Sequence, residues 1–158
     1  MTGWDKQEKL PSHSVLKKAG ELGFGAIYCK KNYGGSDLSR IHASIIYEQL
    51  AAGCASSAAY MSIHNMCAWL IDKFGNHELK ERYIPSLATF DTIAAFFLTE
   101  PISGDDPTAI QLTAKLDGDH YILNGTKLFV LGYDEAQLYI ITARHENRTG
   151  ADGIFCIA

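Results

Sequence analysis

Apolar side chains recur at steps of three and four residues through positions 1–91, which is the spacing of one face of an α-helix. The pattern predicts four helices in this stretch. The first two each have a serine before them and a glycine after them, residues that often cap helices. Their apolar residues are Val15, Leu16, Ala19 and Leu22 in the first, and Ile41, Ile45, Ile46 and Leu50 in the second. The capping residues are Ser12 or Ser14 with Gly23 for the first, and Ser39 with Gly53 for the second.

The third predicted helix covers residues 56–74 and is apolar on nearly every side. A helix of that kind is typical of the centre of a packed bundle, because it has no polar face to turn toward water. The fourth predicted helix covers residues 77–88. Its Leu79, Tyr83 and Leu87 are expected to face inward in spite of Pro85.

From residue 92 the pattern changes to short apolar or alternating runs, which indicate β-strands. The predicted strands cover residues 93–98, 111–116, 120–123, 126–131, 138–143 and 154–157. Two dipeptides that favour turns, Asp117-Gly118 and Asn124-Gly125, separate neighbouring runs and predict hairpins. The strands would then form an antiparallel meander. The chain is therefore predicted to be an α+β protein, with an N-terminal α-helical domain at 1–91 and an antiparallel β domain at 92–158.

Composition and charge narrow the range of functions. The 158 residues are 47% hydrophobic and 20% charged, which is ordinary for a globular protein. A net charge of −4 without a basic run argues against a nucleic-acid partner. No apolar stretch reaches the roughly 20 residues of a membrane-spanning helix, so no membrane association is predicted. The first residues show neither an apolar signal-peptide region nor the arginine-rich face of a transit peptide, and no targeting segment is visible.

The cysteines and histidines do not predict a metal site. The four cysteines, Cys29, Cys54, Cys67 and Cys156, follow no zinc-binding spacing, and free thiols are the expected state. His64 falls on the third predicted helix. We expect it to be a core histidine bonded to backbone rather than a ligand.

Residues 98–106 carry the most specific chemical signal of the chain. They read Leu-Thr-Glu-Pro and, after one further residue, Ser-Gly-x-Asp. Taken alone, the first four are better explained as a strand ended by a proline turn. Two further motifs change that interpretation, because all three occur in order along one chain. They are Ser-Ile-His-Asn-Met-Cys-Ala-Trp at 62–69 and Tyr-Ile-Leu-Asn-Gly-Thr-Lys-Leu-Phe at 121–129.

Together these motifs resemble the acyl-CoA dehydrogenase family, and residues 62–69 are similar to its branch that acts on isobutyryl-CoA. The resemblance covers the chain from Leu22 onward. It implies a longer protein with an N-terminal helical domain, a middle β domain and a C-terminal helical bundle. This chain would hold the first domain and the start of the second. The resemblance further implies FAD as cofactor, an acyl-CoA substrate, an electron-transfer flavoprotein as partner, a homotetramer, and the mitochondrial matrix as location.

The resemblance also implies which residues would contact the cofactor. Backbone groups of Phe96, Leu98 and Thr99 would line the isoalloxazine, and the Thr99 hydroxyl could donate to and accept from a ring edge. Ser103 and Gly104 would offer donors to a phosphate or to pantetheine. The aromatic ring of Phe129 would stack near the flavin. The full predicted cofactor set is Phe96, Phe97, Leu98, Thr99, Ser103, Gly104, Asp105, Phe129, Val130 and Leu131, and Asp105 is also assigned to the substrate.

No catalytic residue is predicted in this chain, because the catalytic glutamate of the family branch would lie in the C-terminal bundle. Glu100 is the one carboxylate near the predicted ring position. We interpret it as a structural residue that packs the strand end, not as a substitute base.

Three residues depart from the family pattern at the predicted site. Ile102 stands where glycine is usual, Asp105 where serine is usual, and Leu131 where serine or threonine is usual. A positive φ would strain a β-branched residue at 102, and a carboxylate at 105 would repel a ligand phosphate. Two alternatives therefore stay open. One is a non-catalytic interaction module of the same fold that binds no flavin, and the other is a fragment that does not fold alone.

Overall fold

The computed structural model describes residues 11–104, 106–148 and 150–158. The chain divides into two compact units. The first consists of Met1–Ala95 with Gly132–Leu138, and the second of Phe96–Leu131 with Tyr139–Ala158.

The first unit contains the four predicted helices. They are α1 (His13–Glu21), α2 (Arg40–Gly53), α3 (Ala55–Phe74) and α4 (His77–Ala88). Ser39 caps α2 as predicted, because its hydroxyl accepts from the His42 amide while the His42 ring accepts from the Ser39 amide. Ser12 is the N-cap residue of α1, but its side chain makes no capping hydrogen bond. The sequence pattern therefore located all four helices and most of their ends.

The core of the first unit forms where α1 and α3 pack against the chain that follows α4. Its buried members are Leu16, Ala19, Tyr60, Met61, Phe90 and Ile93. On α2 the apolar residues Ile41 and Ile45 do not face the core, since they are 73% and 55% exposed. Ala43 is buried on that helix instead, and Tyr47 and Leu50 pack against the core. The helix has two apolar stripes, and periodicity alone does not say which of them meets α3.

Two polar residues of α3, His64 and Asn65, are fully buried and bonded to backbone. His64 Nε2 lies 3.0 Å from the Leu87 carbonyl, and its Nδ1 accepts from the Ala94 amide. The interpretation of His64 as a core histidine is confirmed. Burial lowers the pKa of His64 from 6.5 to about 4, although its bond to Leu87 acts in the opposite direction. The ring is therefore neutral at physiological pH.

Within the described residues, the sheet has five strands: β1 (Ala94–Phe97), β2 (Thr113–Asp117), β3 (His120–Asn124), β4 (Leu138–His145) and β5 (Ile154–Ile157). The order is β1-β4-β2-β3, and β5 also pairs with β4. Of the two predicted hairpins, the one at Asp117-Gly118 forms between β2 and β3, with Asp117 opposite His120. The one at Asn124-Gly125 does not form, because no strand follows it at 126–131. Strands β4 and β5 are also antiparallel, whereas β2 and β4 run parallel, with Thr113 opposite Arg144.

The α+β class is confirmed, but the meander is wrong in two respects. The sheet is mixed, and residues 126–131 form no strand. Phe129 has a φ of +54°, which breaks the extended geometry that a strand requires. In this segment, the Lys127 side chain donates a hydrogen bond to the buried carboxylate of Glu100. The segment 126–131, predicted to be a strand, is therefore a loop held by specific contacts.

Candidate functional site

A small pocket of about 110 Å³ opens in the second unit, immediately after β1. Its walls are formed by Leu98, Thr99, Ser103, Gly104, Asp106, Pro107 and Ile110. Four of these are residues predicted to contact FAD: Leu98, Thr99, Ser103 and Gly104. The chain reverses here because Pro101 ends the strand direction, and Glu100 pairs with Gly104 through an isolated bridge. Gly104 has a φ of +52°, which a glycine adopts without strain.

Asp106 fixes the next turn of the pocket wall. Its Oδ1 accepts from the Thr108 amide at 2.8 Å and from the Thr108 hydroxyl at 2.7 Å. These bonds start the short 3-10 helix Pro107–Ala109. The hydrogen bonds from Thr108 hold the pKa of the Asp106 carboxyl below its ordinary value. Asp106 is therefore a capping residue that lies at the pocket rim in its ionised form.

Arg144 holds the same wall from the sheet. Its guanidinium donates to the carbonyls of Thr108, Ile110 and Gly150, at 2.6, 2.8 and 2.8 Å. One planar side chain thus joins strand β4 to both ends of the Thr108–Ile110 turn. The pocket wall formed by residues 106–110 is fixed by side-chain contacts on two sides.

A buried ion pair contacts the backbone of Leu98, one of the residues that line the pocket. Lys127 Nζ is 2.8 Å from Glu100 Oε1, and both side chains are 3% exposed. The same nitrogen donates to the Leu98 carbonyl and to Thr142 Oγ1, each at 3.0 Å. A buried pair is favourable only when its remaining donors and acceptors are satisfied, and this lysine satisfies all three of its protons.

Glu100 is equally well satisfied. Its carboxylate accepts from the backbone amides of Gln111 and Leu112, at 2.6 and 3.0 Å. Burial alone would raise the pKa of Glu100, but the bonds from Lys127 and from these two amides outweigh it and hold the pKa below its ordinary value. An ionised carboxylate with three donors cannot serve as a free base, so the structural interpretation of Glu100 is confirmed.

The other predicted cofactor residues lie elsewhere in the second unit. Phe96 and Phe97 are half-buried in β1, and Phe97 packs edge-on against Tyr139. Phe129 is 88% exposed and Leu131 is 45% exposed, whereas Val130 is half-buried. None of these five lines the pocket. Asp105 lies outside the described residues, and its assignment to cofactor and substrate stays a prediction.

Ile102, a departure from the family pattern, carries no backbone strain. It lies in the turn after β1, and its φ is outside the left-handed region. Its side chain is 85% exposed and does not line the pocket. The condition under which an isoleucine would be strained at this position, a positive φ, is therefore not met.

Sequence reasoning missed three residues that build the site: Lys127, Thr142 and Arg144. Lys127 was within a recognised motif, yet nothing in the motif indicated that its side chain points inward. Thr142 and Arg144 interrupt the apolar run of β4, and such interruptions are a signal for buried polar contacts.

In the described part of the chain, no group of three or more histidine, cysteine or acidic residues could hold a metal ion. None of the described helices is long and apolar enough to cross a membrane.

Comparison with solved structures defines the class of the fold. The crystal structure of glutaryl-CoA dehydrogenase from Mycobacterium smegmatis superposes with a TM-score of 0.85 at 28% identity, over 92% of this chain and 38% of that protein. The structure of PigA with FAD and proline superposes with a TM-score of 0.87 at 32% identity, over 98% of this chain and 42% of PigA. The architecture is therefore that of an acyl-CoA dehydrogenase.

Sequence comparison establishes the family. The N-terminal domain of acyl-CoA dehydrogenases matches residues 1–91, and the middle domain matches residues 95–158. The chain belongs to the acyl-CoA dehydrogenase family. It is 46% identical to the mitochondrial isobutyryl-CoA dehydrogenase of Bos taurus and 47% identical to that of Dictyostelium discoideum, over 99% and 98% of its residues. It spans 37% of the length of each of these relatives.

Proposed function

We propose that this chain is the amino-terminal and middle portion of an FAD-dependent acyl-CoA dehydrogenase that acts on short branched acyl groups such as isobutyryl-CoA. The observation that carries the proposal is the 46–47% identity to two isobutyryl-CoA dehydrogenases over nearly the whole chain. The identity to a short-chain acyl-CoA dehydrogenase of Clostridium acetobutylicum is lower, 36% over 95% of the chain. This difference favours a branched substrate over a straight one.

The residues around the pocket suit a flavin. Thr99 offers a hydroxyl, which can donate to one ring atom and accept from another. Leu98, which lies beside it and is 39% exposed, offers apolar surface. Ser103 and Gly104 supply a hydroxyl and an open backbone at the other side of the pocket. At about 110 Å³ the pocket is smaller than the 300–1,000 Å³ typical of ligand clefts, so it would hold one edge of the ligand.

FAD, when bound, would accept a hydride from the β carbon of the acyl group. The role of this chain is to place the ring and exclude water from one side of it. The base that removes the α proton would belong to a part of the protein beyond these residues. Electrons would pass to an electron-transfer flavoprotein. By analogy with the mitochondrial relatives, the complete protein would work in the mitochondrial matrix as a homotetramer.

Titration of the purified chain with FAD tests the proposal. Saturable binding, seen as yellow protein after removal of free FAD, is the expected result. With isobutyryl-CoA and an artificial electron acceptor, the FAD-loaded chain should show no turnover, because it lacks the base. Riboflavin provides a matched control, since it carries the ring without the adenine and diphosphate.

The second candidate function is an interaction module that binds no flavin. Leu131 favours it, because a leucine offers no side-chain hydrogen bond at a position where the family usually has a hydroxyl. A folded chain that stays colourless at saturating FAD would support this candidate and overturn the first. A folded chain that binds FAD would exclude it.

A further inference from the structure

The peptide between Leu98 and Thr99, two residues that line the pocket, is held by a buried cation. Lys127 Nζ donates to the Leu98 carbonyl at 3.0 Å while it pairs with Glu100. The peptide is trans, so its carbonyl and its amide point in opposite directions. Because Lys127 holds the carbonyl, the Thr99 amide points away from the ion pair. Leu98 and Thr99 both line the pocket.

The next peptide is held by the neighbouring residue of the same loop. The Leu128 amide donates to the Thr99 carbonyl at 2.8 Å. Thr99 is therefore fixed on both sides, by the side chain of Lys127 and by the backbone of Leu128. No described residue hydrogen-bonds to the Thr99 hydroxyl or to its amide. Both donors are thus available to a ligand in the pocket.

The charge of Lys127 adds to this placement. A hydrogen bond from an ammonium to a carbonyl polarises the peptide, and the amide on the other end becomes a stronger donor. The cation is buried, so solvent does not screen the effect. A neutral residue at 127 would remove both the orientation and the polarisation while leaving the Thr99 side chain in place.

We infer that Lys127 is a positioning residue, which presents the Thr99 amide and hydroxyl to the flavin by holding the Leu98 carbonyl from behind. The inference rests on the proposed function and assigns a role to a side chain that does not itself reach the pocket. Glu100 and Thr142 fix the position of the ammonium, because their oxygens accept hydrogen bonds from Lys127 Nζ at 2.8 and 3.0 Å. The third proton of the ammonium is thereby directed to the Leu98 carbonyl.

The test uses the double variant Glu100→Gln with Lys127→Met. Removing both charges avoids a buried unpaired carboxylate. The single oxygen of glutamine can keep one of the two amide bonds, because Gln111 and Leu112 donate to different oxygens of Glu100. Two readouts are compared with the wild-type chain: the amide resonance of Thr99 without ligand, in a nitrogen-proton correlation spectrum, and the dissociation constant for FAD. Lys115→Met, an exposed lysine on β2, is the matched control.

We expect the double variant to shift the Thr99 resonance and to weaken FAD binding by about threefold to tenfold, the effect of one hydrogen bond. The control should change neither. An unchanged Thr99 resonance, or FAD binding as tight as that of the wild type, would overturn the inference. If the wild-type chain binds no FAD, the proposed function fails separately, and the resonance alone decides whether Lys127 fixes Thr99.

A second variant covers the case in which the double variant does not fold. Lys127→Arg keeps the charge pair with Glu100, but its planar fork cannot place one nitrogen on Leu98, Glu100 and Thr142 together. The same two readouts should move in the same direction as in the double variant. A Thr99 resonance and an FAD affinity that both match the wild type would overturn the inference on this variant as well.

Discussion

The side-chain oxygen of Asn65 accepts a hydrogen bond of 2.7 Å from the Ile27 amide, which lies 38 residues earlier in the chain. The Asn65 amide group donates to the carbonyls of Phe24 and Met61, at 2.7 and 2.9 Å. Asn65 is fully buried on the central helix. It therefore ties the loop after α1 to the core of the first unit.

Replacing Asn65 with alanine should destabilise the chain strongly. The change leaves the Ile27 amide and the Phe24 carbonyl without their partner, at roughly 1 kcal/mol or more each, and removes a fully buried side chain from the core. The Met61 carbonyl keeps the backbone bond of its helix. We expect a loss of about 3 kcal/mol and a fall in melting temperature of roughly 10 °C. Thermal unfolding followed by circular dichroism measures it. Asn32→Ala, at an exposed position, is the control and should melt within about 2 °C of the wild type. Equal melting temperatures of the two variants would contradict the role of Asn65 in holding the loop after α1 to the core.

His64 should make stability depend on pH. The folded state holds the pKa of His64 at about 4, whereas the unfolded value is near 6.5. The unfolded state therefore binds the proton first, so the stability that the neutral ring contributes is complete above pH 6.5. It is lost as the pH falls toward 4, by an amount on the order of 3 kcal/mol.

Urea unfolding between pH 4 and pH 7 tests this dependence. His64→Gln removes the titrating group, so its free energy of unfolding should change less over that interval than that of the wild type. The exposed His120→Gln serves as control and should keep the wild-type slope. A His64→Gln profile parallel to the wild type would show that another group is responsible.

Two glycines of the first unit should respond in opposite ways to alanine. A Cβ at Gly25 would lie 2.3 Å from the Ala88 carbonyl oxygen, which is backbone and cannot move aside, whereas a Cβ at Gly53 meets nothing within 4 Å. Gly25→Ala should lose at least about 2 kcal/mol. Gly53→Ala, at the end of α2, should gain up to about 1 kcal/mol from helix propensity. Chemical denaturation measures the free energy of unfolding of both variants. A Gly25→Ala variant as stable as the wild type would contradict the close contact between residue 25 and the Ala88 backbone.

Phe129 offers a way to separate backbone strain from ring contacts. Its φ of +54° disfavours any residue with a Cβ, while its ring is almost wholly exposed. Phe129→Gly should therefore be about 1 kcal/mol more stable than Phe129→Ala. Both lose the ring, so both should bind FAD more weakly than the wild type by similar factors. Equal stability of the two variants would mean that the loop relaxes out of the left-handed region.

The helices and the β2–β3 hairpin could be predicted because their signals are local. Caps such as Ser39 and the turn at Asp117-Gly118 act within a few residues. The buried face of α2 could not be predicted, because Ile41 and Tyr47 lie on two apolar stripes and the choice between them depends on α3. The sheet order could not be predicted either, because the parallel pairing of β2 with β4 joins residues far apart in sequence.

The candidate site shows the same division. Residues 98–104 were identified from their motif, and four of them form the pocket wall. The support behind them was not identified, because a lysine in a loop is usually exposed. The fold brings Lys127 to Glu100, and that contact shows that the loop at 126–131 holds the segment after β1 that lines the pocket.

The most direct test of the central claim compares FAD binding by the wild-type chain and by Thr99→Val, which removes the pocket hydroxyl and keeps the side-chain shape. Isothermal titration calorimetry gives both dissociation constants. The account predicts saturable binding by the wild type and binding about threefold to tenfold weaker by Thr99→Val, for one lost hydrogen bond. A folded wild-type chain with no heat of binding, or equal affinities for the two proteins, would contradict it.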